Sequence, residues 1–475
     1  MPAKDQDGAA KAEEYRRKQV EYLFPCVGTY YEKPLVADHA SGMRVWDVEG
    51  HQYLDFFAGI LTVSVGHCNP EVTEPTIEQM NRLQHLSTLY INMPQVDLAM
   101  KLAEMAPGRL KKCFFTNSGT EANETAILLA KLYTGQQEVI ALRHSYSGRS
   151  MLTMSLSAHA GYRRGGTHIL GIKHAHSGYC YRCPFKATYP SCDLICAKDF
   201  EELIQTETSG RVAAFIAEPI QGMGGFVVPP KEYFQEAVRI VRKYGGVFIS
   251  DEVQTGFGRT GKWFGIENWG VEPEIMTFAK GLANGSPIGA TIAWPEVADA
   301  FGGSTISTFG GNPVTSTAAL ATLKVMEKED IPGNCARMGA FLLDGLRALQ
   351  QKYPFIGEVR GLGLMIGVEL VGENKAPAPD IAKKVLEATR RNRLLVGKGG
   401  LFANVLRLTP PMTVGRADAE EALRLLDLSF GEVAREQGIG TGAGAAKGAA
   451  AAKGAAAAKG AAALKTAAGG MTTGD

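Results

Sequence analysis

The 475-residue chain lacks any apolar run of the ~18 residues that a membrane-crossing helix needs. It lacks an excess of either charge: Lys and Arg number 50, Asp and Glu 49. That balance gives no overall field to draw the molecule to nucleic acid or to a lipid surface. Cysteine is sparse, at eight residues, which excludes a disulfide-stapled scaffold and suits a reducing cytoplasm. The opening stretch, MPAKDQDGAAKAEEYRRKQVEYLF, has no apolar core of the kind a secretory signal carries. Its acidic residues are also out of place in a mitochondrial transit peptide.

What is present suits a globular enzyme-sized chain. The hydrophobic fraction is 45% and the charged fraction 21%, both ordinary for folded domains. A chain of this length can bury a large core. From Gly438 the texture changes: of 38 residues, 16 are Ala and 10 are Gly, and Lys recurs at 447, 453, 459 and 465. Gly448, Gly454 and Gly460 each cost a helix about 1 kcal/mol. With so little side chain to bury, residues 438–475 are expected to be a disordered tail.

Strands and helices alternate before that. Lys112–Thr116 is a short apolar run, followed by helical sequence from Thr120 to Tyr133. Val212–Ala217 and Val247–Ser250 are continuous apolar runs that end on acids, as strands buried on both faces of a parallel sheet do. Between them Tyr233, Ala237, Ile240, Val241 and Tyr244 recur at helical spacing. After about residue 320, long amphipathic helices alternate with a Gly-broken strand from Gly361. The expectation is an α/β protein in four parts. Residues 1–65 form a segment packing with the small domain, 66–320 a large domain with a mostly parallel sheet, 321–437 a smaller α+β domain, and 438–475 the tail.

Three local patterns carry chemistry. Ser118 and Glu121 are spaced as a capping box where a strand becomes a helix; such a helix start either caps itself or accepts an anion. Asp251 ends an apolar strand, at the edge where α/β folds bind ligands. Lys280 follows another apolar run, and burial there would favour its neutral, nucleophilic amine. A fourth pattern, Gly256-Phe257-Gly258-Arg259-Thr260-Gly261, matches a dinucleotide fingerprint but opens no helix, and is read as a decoy. An anion cradle, a strand-end acid and a buried lysine are together what pyridoxal phosphate requires.

The longer motifs are DVEGHQYLDFFAGILTVSVGHCNP from 47, FFTNSGTEAN from 114, AEPIQG from 217, DEVQTGFGRTG from 251, AKGLANGSPIGA from 279 and STFGGNP from 307. Over residues 20–435 the chain resembles the class III pyridoxal-phosphate-dependent aminotransferases, most of all the alanine–glyoxylate aminotransferase 2 branch. The resemblance implies fold type I, a homodimer, and pyridoxal 5'-phosphate as cofactor. It makes Lys280 the Schiff-base lysine and Asp251 the partner of the pyridine nitrogen. It places Ser118, Gly119 and Thr120 at the phosphate, Tyr146 against the ring, Gln254 near the ring hydroxyl and Glu218 in the cofactor pocket. Thr308 would reach the partner subunit's cofactor, and Arg407 would bind a substrate carboxylate.

Substrate choice rests on two positions. Arg149 matches an arginine that, in the ornithine, acetylornithine and 4-aminobutyrate enzymes, holds a distal or α-carboxylate, which favours a substrate or acceptor with a second carboxylate. Yet where the ornithine and 4-aminobutyrate enzymes carry a masking Glu after EPIQ, this chain has Met223. Arg407 should then stay open to an α-carboxylate. The expected reaction moves an amino group from alanine or a β/ω-amino acid to glyoxylate or pyruvate; a 2-oxoglutarate-using transaminase is the alternative, and a lyase of the same family a more distant one. Cys180, Cys183, Cys192 and Cys196 have a spacing compatible with zinc, but the family needs none, and no metal is expected. His174 and His176 are read as exposed loop residues.

Overall fold

A computed structural model describes residues 3–165 and 168–442. Three strands lie near the N-terminus: β1 (Ala37–Ser41), β2 (Arg44–Asp47) and β3 (Gln52–Asp55). Seven follow in the central part: β4 (Lys112–Thr116), β5 (Val139–Leu142), β6 (Ile172–Ala175), β7 (Ala214–Ala217), β8 (Val247–Asp251), β9 (Ile275–Phe278) and β10 (Gly289–Ala293). Five close the chain: β11 (Ile356–Leu362), β12 (Met365–Leu370), β13 (Leu394–Leu395), β14 (Gly397–Gly399) and β15 (Val405–Leu408).

The central seven form one sheet in the order β4-β10-β9-β8-β7-β5-β6. Pairing is parallel from β9 through to β6, and antiparallel on both sides of β10. Every residue of β5, β7, β8, β9 and β10 is buried. That is why their sequences read as unbroken apolar runs rather than alternations. Helices Gly119–Thr134 and Tyr233–Lys243 cover the sheet and bury Ala, Ile, Phe and Val side chains on it.

Since β10 runs against both neighbours, β4 runs parallel to β9. The carboxyl ends of β4, β5, β7, β8 and β9 therefore share one edge, and the loops that leave it carry most of the site. Two smaller sheets complete the described chain. β1-β2-β3 continues into β13, where Leu54 pairs with Leu394. β11-β12-β15-β14 forms the other.

Several sequence expectations are corrected. The Gly-broken stretch from Gly361 is not one strand but a hairpin: β11 and β12 pair antiparallel up to Leu362 and Met365, with the turn at Gly363-Leu364. His174 is not a loop residue; it pairs with Ala141 within the sheet, and its ring bonds the Leu156 carbonyl at 3.1 Å. His176 is half-buried against Phe185. The expected tail falls almost wholly on residues 443–475, outside the described residues.

Candidate active site

Parallel strands deliver their last residues to the same edge. Asp251 is the final residue of β8, and Lys280 follows two residues after β9 ends. Glu218 directly follows β7, and Ser118 and Tyr146 sit in the loops after β4 and β5. Asp251 and Glu218 are both buried, at 3% and 4% exposure.

Asp251 is tightly held. Its Oδ2 accepts from Asn123 Nδ2 at 2.9 Å and its Oδ1 from the Val253 N–H at 3.1 Å. Burial raises its pKa, while the Asn123 and Val253 bonds and the Lys280 charge oppose the rise. Asn123 is oriented in turn: its Oδ1 accepts from Thr277 Oγ1 at 2.8 Å and its Nδ2 also donates to the Ser147 carbonyl. Sequence reasoning missed Asn123. It stands inside the FFTNSGTEAN stretch, but no spacing rule marks an asparagine five residues past a cap.

Glu218 accepts from the Tyr146 and Gly222 N–H groups at 3.1 and 2.8 Å. Burial first, then the Asp251 charge, pushes its pKa up to about 8. Lys280 has a left-handed backbone, φ +41°, which is uncommon for a side-chain-bearing residue and clusters at functional positions. Burial lowers its pKa; Asp251 and Glu218 pull it back up, and Arg407 adds to the lowering. Those four groups therefore feel one another across one site.

Ser118 caps the helix that begins at Gly119, accepting from the Glu121 N–H. The box is incomplete: the Glu121 carboxylate bonds the Asn117 N–H at 2.7 Å rather than that of Ser118. The Gly119 and Thr120 N–H groups open the helix and have no acceptor within it. Thr120 Oγ1 accepts from the Arg149 N–H at 3.3 Å, so the loop after β5 meets this helix start. The Arg149 side chain is exposed.

Arg407 comes from β15 and is 1% exposed. Its Nε donates to the Lys398 carbonyl at 3.1 Å and its Nη2 to Tyr30 Oη at 3.4 Å. Nη1 is buried without a partner. The guanidinium lies over the Phe57 and Phe226 rings, at 5.1 and 5.6 Å. No carboxylate is among its partners. Tyr30, 377 residues away, and Phe57 were not singled out from the sequence; Phe57 stands inside the motif that starts at 47, and nothing local marks Tyr30. Beside them Tyr146 and Tyr162 stack edge to face at 5.1 Å, and Tyr162 Oη faces Met223 Sδ at 3.9 Å.

Gln254 is buried, with its Oε1 unpartnered. Its amide fills the space a Cβ on Gly222 would need, at 2.2 Å. Thr308, like Arg149, is exposed; it lies between exposed Ile306 and Phe309. Among the described residues, no group of three or more His, Cys, Asp or Glu is placed to hold a metal, and all eight cysteines are free.

These groups fit pyridoxal 5'-phosphate. A helix start with free N–H groups suits a phosphate, a buried unpartnered amide oxygen suits a ring hydroxyl, and a buried acid beside a lysine suits a pyridinium nitrogen and an aldehyde carbon. Fold and site together define a pyridoxal-phosphate-dependent transferase of fold type I. The model of the family "Aminotransferase class-III" matches residues 28–429, and the chain belongs to that family. It is 42% identical to alanine–glyoxylate aminotransferase 2 homolog 2, mitochondrial, of Arabidopsis thaliana, over 88% of this chain and 87% of that one. It is 38% identical to a leucine/methionine racemase of Thermococcus litoralis, over 86% and 94%. Its structure resembles an (S)-enantioselective omega-transaminase from Thermomicrobium roseum, with TM-score 0.82, 36% identity, and 89% and 99% coverage. A PLP-bound amine transaminase from an uncultivated Pseudomonas species matches with TM-score 0.82, 32% identity, and 87% and 99% coverage. The protein is a class III aminotransferase, and its cofactor is pyridoxal 5'-phosphate.

Proposed function

We propose that the enzyme moves the amino group of alanine, or of a β/ω-amino acid, to a small 2-oxo acid such as glyoxylate or pyruvate. The observation that carries this is Arg407: buried, free of any acidic partner, with one unpartnered N–H. A guanidinium so placed presents its fork to a planar carboxylate. Met223, on the loop that meets the Arg407 strand, carries no charge that would mask it. The rings of Tyr30 and Phe57 meet at 5.7 Å and those of Tyr146 and Tyr162 at 5.1 Å, so the neighbours of the Arg407 fork are aromatic rather than acidic.

In this reading each group has one task. Arg407 binds the α-carboxylate and thereby orients Cα. Lys280 Nζ takes the proton from Cα as general base and returns one as general acid; its depressed pKa keeps the free amine available. Asp251, fixed by Asn123, holds the proton on the pyridine nitrogen. The Gly119 and Thr120 N–H groups, with the Ser118 cap, hold the phosphate. Tyr146 packs on the ring, Gln254 meets its hydroxyl, and Glu218 braces the loops bearing Tyr146 and Gly222. The bound cofactor supplies the electron sink that makes Cα acidic.

The test is to load the enzyme with amino groups and offer glyoxylate, pyruvate and 2-oxoglutarate separately. The small acids should react fastest. A far faster reaction of 2-oxoglutarate, abolished by Arg149→Ala with pyruvate spared, would establish the 2-oxoglutarate alternative.

The proposal includes a homodimer in which Thr308 reaches the partner's cofactor phosphate. Thr308, Ile306 and Phe309 are exposed, as are Leu89, Tyr90 and Ile91. Leu89 and Ile306 also line an apolar hollow of about 400 Å³ with Phe114, Leu129 and Phe301. It also includes a cytoplasmic location, supported by the eight free thiols. Among the described residues no helix is long and apolar enough to cross a membrane. The Arabidopsis relative is named as mitochondrial, so cell fractionation decides the compartment.

A further inference from the structure

Three strands carry one row of residues. Arg360 of β11 pairs with Gly367 of β12, and Gly367 pairs with Arg407 of β15. Directly opposed residues project to the same face, so the two arginines flank a position with no side chain. That gap is filled from the large domain: a Cβ on Gly367 would meet the Gly225 carbonyl oxygen at 2.9 Å. Arg360 donates to this same oxygen twice, from Nε at 2.9 Å and Nη2 at 2.6 Å.

The clamped loop is the one that bears Met223. It is also attached through the Met223 carbonyl, which accepts from the Gly400 N–H at 2.9 Å, through Met223 Sδ, which faces Tyr162 Oη, and through the Gly222 N–H, which donates to Glu218. Arg360 is itself held. Its Nη1 bonds Glu369 at 2.6 Å and also bonds Glu358. Glu369 is 0% exposed and accepts besides from Tyr179 Oη and Arg182 Nε. The Arg360 guanidinium lies over the Tyr179 ring at 5.0 Å.

We infer that Arg360 is the positioning residue of the carboxylate pocket: it holds the Gly222–Gly225 loop against the sheet that carries Arg407. This sets the spacing between the Met223 wall and the Arg407 fork. Glu369, with Tyr179 and Arg182 from the cysteine-bearing segment, keeps the Arg360 fork aimed at Gly225. Two parallel donors to one carbonyl require the guanidinium plane; a lysine ammonium cannot reproduce that geometry together with the Glu369 bond. The inference rests on the reading of Arg407 as the α-carboxylate ligand.

The experiment is calorimetric titration of the holoenzyme with propionate, a carboxylate that cannot react, beside the KM and kcat for pyruvate. Arg407→Gln is the control for the underlying reading and should abolish propionate binding. Arg360→Gln should weaken propionate about tenfold or more and raise the KM for pyruvate in step. Its kcat and its cofactor absorption should change little. Arg360→Lys, which keeps the charge, should lose most of that affinity too, and it decides the matter if Arg360→Gln does not fold. If Arg407→Gln binds propionate normally, the Arg407 reading fails. If Arg407→Gln loses binding while both Arg360 variants keep it, the inference alone is overturned. Loss of affinity only in parallel with loss of cofactor would also overturn it.

Discussion

Asn123 Nδ2 donates to Asp251 Oδ2 at 2.9 Å, and Thr277 fixes the amide that does so. The asparagine belongs to the helix that starts at Gly119; the aspartate ends β8, two strands away from β10, the neighbour of β4. The bond therefore ties the helix start proposed to hold the phosphate to the acid proposed to meet the pyridine nitrogen.

Asn123→Ala should retain the cofactor but lose turnover. Removing a hydrogen bond to a charged group costs about 1.5–3 kcal/mol. With Asp251 less well held as the anion, proton affinity at the pyridine nitrogen falls. Turnover should drop about 10- to 100-fold, measured under saturating substrate, with a shifted pH titration of the cofactor's absorption.

Lys280→Ala should abolish the proton transfer. A positioned general base contributes about 10²- to 10⁴-fold, and the half-reaction with alanine should slow by at least that much. Borohydride reduction of the wild type should attach the cofactor to the peptide that holds Lys280. Attachment to any other lysine would remove it from its proposed role.

Glu218 gives a pH signature in the cofactor-free protein. Its pKa is raised from 4.5 to about 8 by burial and by Asp251. Between those values the folded state binds more protons than the unfolded one, so stability falls as pH rises through that window. Glu218→Gln removes this titration. The melting temperature of wild-type apoprotein should decline relative to Glu218→Gln from pH 5 to pH 8, and a gap constant with pH would contradict the assignment.

Met223→Glu should convert the open pocket into a masked one. A carboxylate introduced on that loop pairs with the Arg407 fork and competes with the substrate. The KM for pyruvate should rise about tenfold or more, while reaction with an ω-amine is spared. Steady-state kinetics on both substrate types checks this.

Thr308 can be placed in one chain or the other by mixing variants. Lys280→Ala and Thr308→Asp subunits are each expected to be impaired. If Thr308 serves the partner's site, a mixed dimer concentrates both defects in one site and leaves the other intact. Mixing the two proteins under subunit exchange should restore turnover. No restoration, despite exchange shown by labelled subunits, would place Thr308 elsewhere.

Much of the central sheet was legible because burial on both faces leaves a continuous apolar signature. Lys112–Thr116 is the strand the run indicates, and Val247–Ser250 extends by one residue to include Asp251. The helix expected over 120–133 spans Gly119–Thr134. The hairpin at Gly361 was not legible, since alternating Gly and Leu fits one broken strand as well as two short ones. His174 was misread because the strand that holds it is only four residues long and ends against a loop. Nothing in the local sequence links Tyr30 to Arg407, or Gly225 to Arg360.

Most residues proposed to do chemistry belong to short, ordered motifs, and the sequence alone determined the family, the cofactor and the strand-end placement of Asp251. Those features are local: an apolar run sets a strand, and the residue after it reaches the sheet edge. Tertiary structure alone decided which groups share a site. It brought a β15 arginine beneath a tyrosine from residue 30 and left its Nη1 unpartnered. It set Asn123 behind Asp251, and it locked the Met223 loop to Arg360 through a gap that only glycine leaves. Such contacts depend on how separate sheets pack, and packing is settled by the whole core rather than by any window of sequence.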